Sequence, residues 1–211
     1  MARIIANKAL LCPYHVSSRS NNREAFPLPL TKVWGIFENY LYLTKIGFNL
    51  KIHSFLLMDN HFHLIVSAPD ENLSQALGYF LREVSKEIGR AAKVRNHQFG
   101  GRSFKCAITD YHYYMHAYKY LYRNPISAGL CDRVEDYEFS TLHGLIGKSR
   151  LVIPVEEDVL LFEDLEQTLM WLNSTPEISK MEAVKAALRR NEFKLPRNES
   201  GFASPLVDRC L

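Results

Sequence analysis

Long apolar runs are missing from this sequence of 211 residues. A membrane-spanning helix needs roughly 18 or more consecutive apolar residues, so no membrane span is expected. The opening stretch MARIIANKALLCPYHV is short and broken by Lys8 and Pro13, which argues against a secretory signal. Cysteine is scarce. Cys12, Cys106, Cys131 and Cys210 stand far apart with no Cys-x-x-Cys pair, which excludes a zinc knuckle or a disulfide framework and suits the reduced thiols of a cytoplasmic protein. Also absent are a Gly-rich phosphate loop, an internal repeat and a low-complexity tract. No large excess of one charge exists either, the net being +3. What is present is 47% apolar, 12% aromatic and 23% charged residues, the make-up of a globular chain with room for one sizeable core and a smaller appendage.

Charge is distributed unevenly. Arg82, Lys86, Arg90, Lys93, Arg95, Arg102 and Lys105 form a basic stretch broken only by Glu83 and Glu87. An acidic segment follows at Glu156, Glu157, Asp158, Glu163, Asp164 and Glu166, and Lys180, Lys185, Arg189, Arg190, Lys194 and Arg197 make a basic tail. Such clusters are either solvated faces or surfaces that track phosphates.

Periodicity orders the chain. A short β-like run follows Leu10, then the loop SRSNNRE. Beyond Pro27 and Pro29, Val33, Ile36, Phe37, Tyr40 and Leu41 have helical spacing, with Gly47 as the stop. Leu50–Met58 and His61–Val66 read as a hairpin about an Asp59-Asn60 turn. Leu73, Leu77, Phe80, Leu81, Val84 and Ile88 mark a second helix, Ser103–Thr109 a fourth strand, and Tyr111–Arg123 a third helix stopped by Pro125. The order βαββαβ predicts an α+β fold, a ferredoxin-like antiparallel sheet with helices on one face. Two helical stretches, around Val159–Leu172 and Ile178–Arg190, form a C-terminal appendage. The expected division is a catalytic domain over residues 1–140 and a helical, DNA-binding extension over residues 141–211.

The chemistry concentrates in MDNHFHLIV. Strand side chains alternate, so His61, His63 and Ile65 share one face while Phe62, Leu64 and Val66 share the other. Two imidazoles about 7 Å apart on one face can converge on a divalent cation, or they are surface histidines of an amphipathic strand. In YHYYMHAYKYLYRNP, His116, Tyr120 and Asn124 lie at i, i+4 and i+8 on one helical face. That flanks Tyr120 with a possible base and a possible oxygen ligand. Tyr113 lies near the same face, and Tyr118 and Tyr122 form a pair on its neighbour, so periodicity alone does not choose the tyrosine.

In order along the chain, YHVSSRSNNRE, LMDNHFHLIV, FGGRSFK, KYLYRNPISAGL and DYEFS resemble landmarks of the REP-associated tyrosine transposases, single-tyrosine HUH enzymes acting on single-stranded DNA. VKAALRRNEFKLPRNESGF is similar to a C-terminal element of that family. The resemblance spans Tyr14 to Ser140. It implies that His61 and His63 bind Mg²⁺ or Mn²⁺, that Tyr120 is the nucleophile, and that Asn124 completes the metal site. It also implies a site-specific endonuclease and strand transferase acting on single-stranded or hairpin DNA through a 5′-phosphotyrosine. Two positions depart from the pattern: Ser20 replaces a usual glycine, and Phe139 a common tryptophan. His116 is outside it, so a role as base rests on spacing alone.

For DNA contacts the expectation falls on Arg19, Arg95, Arg102, Lys105, Arg189 and Arg190 for phosphates. Phe99 either stacks on an unpaired base or anchors its loop in the core. Two other readings remain open: a replication initiator or relaxase using a tyrosine pair such as Tyr118 and Tyr122, and a non-catalytic nucleic-acid-binding module. Relatives imply either a monomer or a homodimer.

Overall fold

The structure is a computed structural model that describes residues 12–94, 98–100 and 103–195. Four strands form one sheet: β1 (Tyr14–Arg19), β2 (Lys51–Leu57), β3 (His61–Ser67) and β4 (Phe104–Ala107), in the order β2-β3-β1-β4. Every neighbouring pair is antiparallel. With α1 (Leu30–Gly47) between β1 and β2, and α2 (Leu73–Ala92) between β3 and β4, this is the predicted ferredoxin-like arrangement.

The hairpin turns at Asp59-Asn60, where the Met58 amide donates to the His61 carbonyl at 2.7 Å. Its register sets Leu57 against Phe62 and Leu56 against His63, with an irregularity between Ile52 and Ser54. Alternation along β3 then separates two cores. Phe62, Leu64 and Val66 join Val16, Phe37, Leu41, Phe80 and Val84 beneath α1 and α2. Ile65 joins Leu56, Cys106, Tyr118, Leu121 and Tyr122 on the opposite face. The crossover helices therefore share one face, as predicted, and the other is covered by α3 (Tyr111–Ser127).

Helix α3 starts where Asp110 accepts from the His112 amide at 2.7 Å. It does not stop at Pro125 as expected but runs through it to Ser127. Proline removes one amide donor and crowds the carbonyl four residues earlier. Here the carbonyls of Tyr120 and Leu121 accept from the Asn124 side chain, at 2.7 and 3.3 Å, so the last turn survives.

Beyond residue 140 come α4 (Thr141–Leu145), α5 (Val159–Glu163), α6 (Leu165–Asn173) and α7 (Ile178–Ala187). The helix expected around Val159–Leu172 is two, because Asp164 ends one and caps the next through the Gln167 amide at 3.0 Å. Leu142, Leu161, Leu172, Val184 and Phe193 fill the same core as Tyr118 and Ile65. After α7 the chain runs along β4, where Ala107 donates to the Asn191 carbonyl and accepts from the Phe193 amide, both at 2.8 Å. An open sheet edge is thereby covered.

Phe193 is fully buried and packs on Tyr113 with ring centroids 5.0 Å apart. Phe193→Ala should cost about 3–5 kcal/mol of stability, read from urea unfolding. A loss under about 1 kcal/mol, the range of a surface substitution, would mark this segment as a loose appendage.

Candidate active site

Alternating side chains of β1 and β3 point to the face under α3. The register sets Arg19 against His61, Ser17 against His63 and His15 against Ile65. Facing them, α3 contributes His116, Tyr120 and Asn124, and α7 with the turn after it contributes Lys180, Lys185 and Arg189. All of these except Ile65 line one cavity of about 970 Å³.

His61 donates through Nδ1 to Asn60 Oδ1 at 2.7 Å, and Asn60 Nδ2 donates to the Arg23 carbonyl at 2.7 Å. The second bond fixes which end of the Asn60 amide is oxygen. The first therefore fixes the proton of His61 on Nδ1 and leaves its Nε2 lone pair for a ligand. His63 meets His15 through Nδ1 at 3.0 Å, and among the described residues its buried Nε2 has no hydrogen-bond partner. The His61 and His63 rings stand 5.1 Å apart, nearly perpendicular.

Burial governs the charge here. It lowers His15 and His61 to about 4 and His63 well below the usual value, with the Arg19 charge adding to the effect on His61 and His63. Neutral imidazoles are the form that binds metal. The orphaned Nε2 of His63 and the bare Nε2 of His61 fit a divalent cation. Among the described residues no group of three or more His, Cys, Asp or Glu side chains is arranged to hold an ion, so most coordination positions would fall to substrate oxygens and water.

Tyr120 is the tyrosine the structure brings to the histidines. Its ring stands edge-on at 5.7 Å from His63 and 6.2 Å from His15. Burial raises its phenol, and the positive charges of Arg189 and Arg19 oppose that rise. Tyr118 and Tyr122 are fully buried; their hydroxyls bond Asp158 at 2.6 Å and Thr141 at 3.0 Å. Burial drives both well above the ordinary phenol value. They are core residues, which removes the support for a nucleophilic pair. Tyr113 packs on Phe193.

Other expected residues divide. Asn124 lines the cavity, but its Nδ2 is held by its own helix, which leaves Oδ1 as the atom that can reach a ligand. His116 lines the cavity, and burial lowers it to about 4, which makes it a poor acceptor for a phenol proton. Arg19 and Arg189 border the site; Arg190 is exposed outside the cavity lining. Lys105 alternates to the other face and donates to Ser74 at 2.7 Å. Phe99 packs against Phe26, Phe37 and Phe62 in the opposite core, so it anchors its loop and does not reach this cavity. A Cβ at Gly100 would meet the end of the Asn21 side chain, which would have to turn aside. Arg95 and Arg102 lie outside the described residues. On α2, Arg82, Lys86 and Arg90 pair with Glu83 and Glu87 on the far side of the sheet from the histidines. Ser20 tolerates the loss of glycine because its φ is −58°, and its hydroxyl donates to the Glu24 carbonyl.

Sequence reasoning missed His15 and Phe104. Both alternate onto the site face, which the strand period alone shows once the limits of β1 and β4 are known. Phe104 lines the cavity and is 59% exposed.

The fold and site define a ferredoxin-like sheet with paired strand histidines beneath a tyrosine-bearing helix. No protein-family model matches the chain. It is similar to the REP-associated tyrosine transposase of Escherichia coli (strain K12), 25% identical over 142 residues, covering 66% of this chain and 83% of that one. It also shares its fold with a solved REP-associated tyrosine transposase bound to a REP hairpin, with a TM-score of 0.55 at 21% identity, covering 70% and 87% of the two chains. The resemblance carried by the motifs is borne out. No helix of the described residues is long and apolar enough to cross a membrane.

His15, His61 and His116 predict an acid-labile fold. Their folded values near 4 lie below the ordinary histidine value of 6.5, so above pH 6.5 both states are neutral and their stabilising effect is complete. As pH falls from 6.5 to 4 the unfolded chain takes up protons that the folded chain refuses, and stability drops. Urea midpoints should fall steadily from pH 7 to 4.5; a constant midpoint would contradict the burial of these rings.

Proposed function

We propose that this chain is a transposase of the REP-associated tyrosine type, a single-strand DNA endonuclease and strand transferase that uses Tyr120 on hairpin DNA. The observation that carries the reading is the placement of the Tyr120 ring 5.7 Å from His63, inside a cavity bordered by Arg19 and Arg189. The similar proteins are named transposases, and the solved one is bound to a REP hairpin. The buried Tyr118 and Tyr122 speak against the two-tyrosine alternative.

A phosphodiester resists an anionic nucleophile because its own oxygens repel it. Nε2 of His61 and of His63 would hold Mg²⁺ or Mn²⁺, whose charge would polarise the scissile phosphate, and Asn124 Oδ1 would be a further oxygen ligand. The chain's own residues do the rest. Arg19 and Arg189 lower the cost of the Tyr120 phenolate and attract the phosphate to it. Tyr120 gives up its phenol proton to water, and its oxygen attacks phosphorus as the P–O3′ bond breaks. The departing 3′ oxygen takes a proton from water and leaves as a hydroxyl, and a 5′-phosphotyrosine remains. Attack by a 3′-hydroxyl reverses the step, releases tyrosine and rejoins a strand without ATP. Burial keeps His116 neutral, while Arg19 and Arg189 favour the phenolate. Arg189 in the turn after α7 extends the positive border along which a DNA backbone can lie, beside Lys180 and Lys185, which pair with Glu177 and Glu182.

The test is a labelled single-stranded hairpin incubated with the protein and Mn²⁺ or Mg²⁺, scored for covalent adduct on a denaturing gel. Tyr120→Phe should keep DNA binding and form no adduct; an adduct mapping to Tyr113 or Tyr118 would refute the choice of nucleophile. His61→Ala and His63→Ala should each lower metal-dependent cleavage by at least about 100-fold while the fold persists. Full cleavage in both would remove the metal assignment.

Arg189→Ala should raise the Tyr120 phenol further, because a positive charge that favours the phenolate is gone. Carbon-13 NMR of labelled tyrosine, followed against pH, checks this. An unchanged titration of Tyr120 would mean that Arg189 does not reach it.

A further inference from the structure

His15 is a buried histidine that the motif reading leaves without a task. Its Nε2 lies 3.0 Å from His63 Nδ1, the two rings are stacked 5.1 Å apart, and its own Nδ1 is buried without a partner. The strand register sets His15 diagonally across from His63, two residues before Ser17, which pairs with His63. A surface histidine would have water at both nitrogens; this one has, among the described residues, a single hydrogen-bond partner, and that partner is a proposed metal ligand.

We infer that His15 is a positioning residue that holds His63 in the tautomer able to bind a metal ion, an inference that rests on the metal reading given above. Two neutral imidazoles joined nitrogen to nitrogen share one proton in one of two arrangements. In the first, His63 carries its proton on Nδ1 and donates to His15 Nε2, which leaves His63 Nε2 as a bare lone pair facing the cavity. In the second, His15 Nε2 donates to His63 Nδ1; His63 Nε2 then carries the proton and cannot ligate. Only the first makes a ligand, and it requires an acceptor at the place of His15 Nε2. His61 has the same requirement met differently, by the oxygen of Asn60. Each of the paired histidines thus has its own acceptor behind it: an amide in the hairpin turn for one, an imidazole on the neighbouring strand for the other. Partners behind metal-binding histidines fix ring orientation and raise ligand basicity.

Two measurements on the full chain test this. In the first, nitrogen-15 correlation spectra of the imidazoles are recorded at neutral pH without metal. His63 should carry its proton on Nδ1 in the wild type, and in His15→Leu the proton should shift toward Nε2. A wild-type His63 protonated on Nε2 overturns the inference whatever becomes of the metal reading. In the second, Mn²⁺ binding is followed by calorimetry on wild type, His63→Ala, His15→Leu and His15→Gln. His15→Leu should bind on the order of 10–100-fold more weakly, whereas His15→Gln, whose amide oxygen can accept from His63 Nδ1, should stay within a few fold of wild type. Equal affinity in wild type and His15→Leu overturns the positioning role. Absence of Mn²⁺ binding in the wild type, or its survival in His63→Ala, instead overturns the metal reading. Circular dichroism and urea midpoints on the same samples separate loss of the fold from loss of the acceptor, since an unfolded His15→Gln would bind no better than His15→Leu.

Discussion

Strand β3 is flanked by β2 and β1 and covered on both faces, so each of its side chains is committed to one of two environments. The side that takes Phe62, Leu64 and Val66 is sealed by α1 and α2 with aromatic rings. The side that takes His61, His63 and Ile65 is closed under Ile65 by the core beneath α3 and opens into the cavity at the histidines. A slip of one residue would exchange the two sets and bury imidazoles among phenylalanines, where an unpaired polar group costs several kcal/mol. The pairing of β3 with β1 and β2 is thus fixed by the aromatic face, and the chemistry of the other face follows from it.

That dependence explains how much was legible beforehand. The element order, the two faces of β3 and the ferredoxin-like class follow from periodicity, because long amphipathic patterns are strong signals. The motif resemblance pointed to His61, His63 and Tyr120, and the structure brings those three together. What local spacing could not show was which of several tyrosines on one helix faces inward to solvent-filled space and which to core. Tyr118 and Tyr122 are settled by Asp158 and Thr141, partners 40 and 19 residues away. His15 was invisible for a related reason: its neighbour is 48 residues distant, across a pairing known only from the assembled sheet. Phe99 and Lys105 went to the opposite face because a loop ring or a strand side chain can point either way until the strand limits are set. Pro125 misled because the Asn124 side chain compensates the turn that proline weakens.

Desolvation works on both partners of the proposed chemistry, with opposite demands. It keeps the imidazoles neutral and ready to ligate, yet it makes the Tyr120 phenolate harder to form. Arg19 acts on both sides of that conflict: its charge further discourages protonation of His61 and His63 and eases ionisation of Tyr120. A single cation at the end of β1 thereby reconciles two groups that burial alone would set at odds.

The turn at Asp59-Asn60 does more than reverse the chain. Asn60 holds His61 with one end of its amide and the Arg23 carbonyl with the other, while the backbone oxygens of Asn60 and Asp59 accept from Ser20 and Phe26 at 2.8 Å. The segment after β1 is therefore stitched to the histidine-bearing hairpin along most of its length. Surface connections usually gain and lose residues freely among related proteins. This one is not free to do so, because an insertion between Ser20 and Phe26 would break the stitching and let the His61 ring rotate. Descendants of this chain should diversify in length elsewhere and hold this short stretch constant.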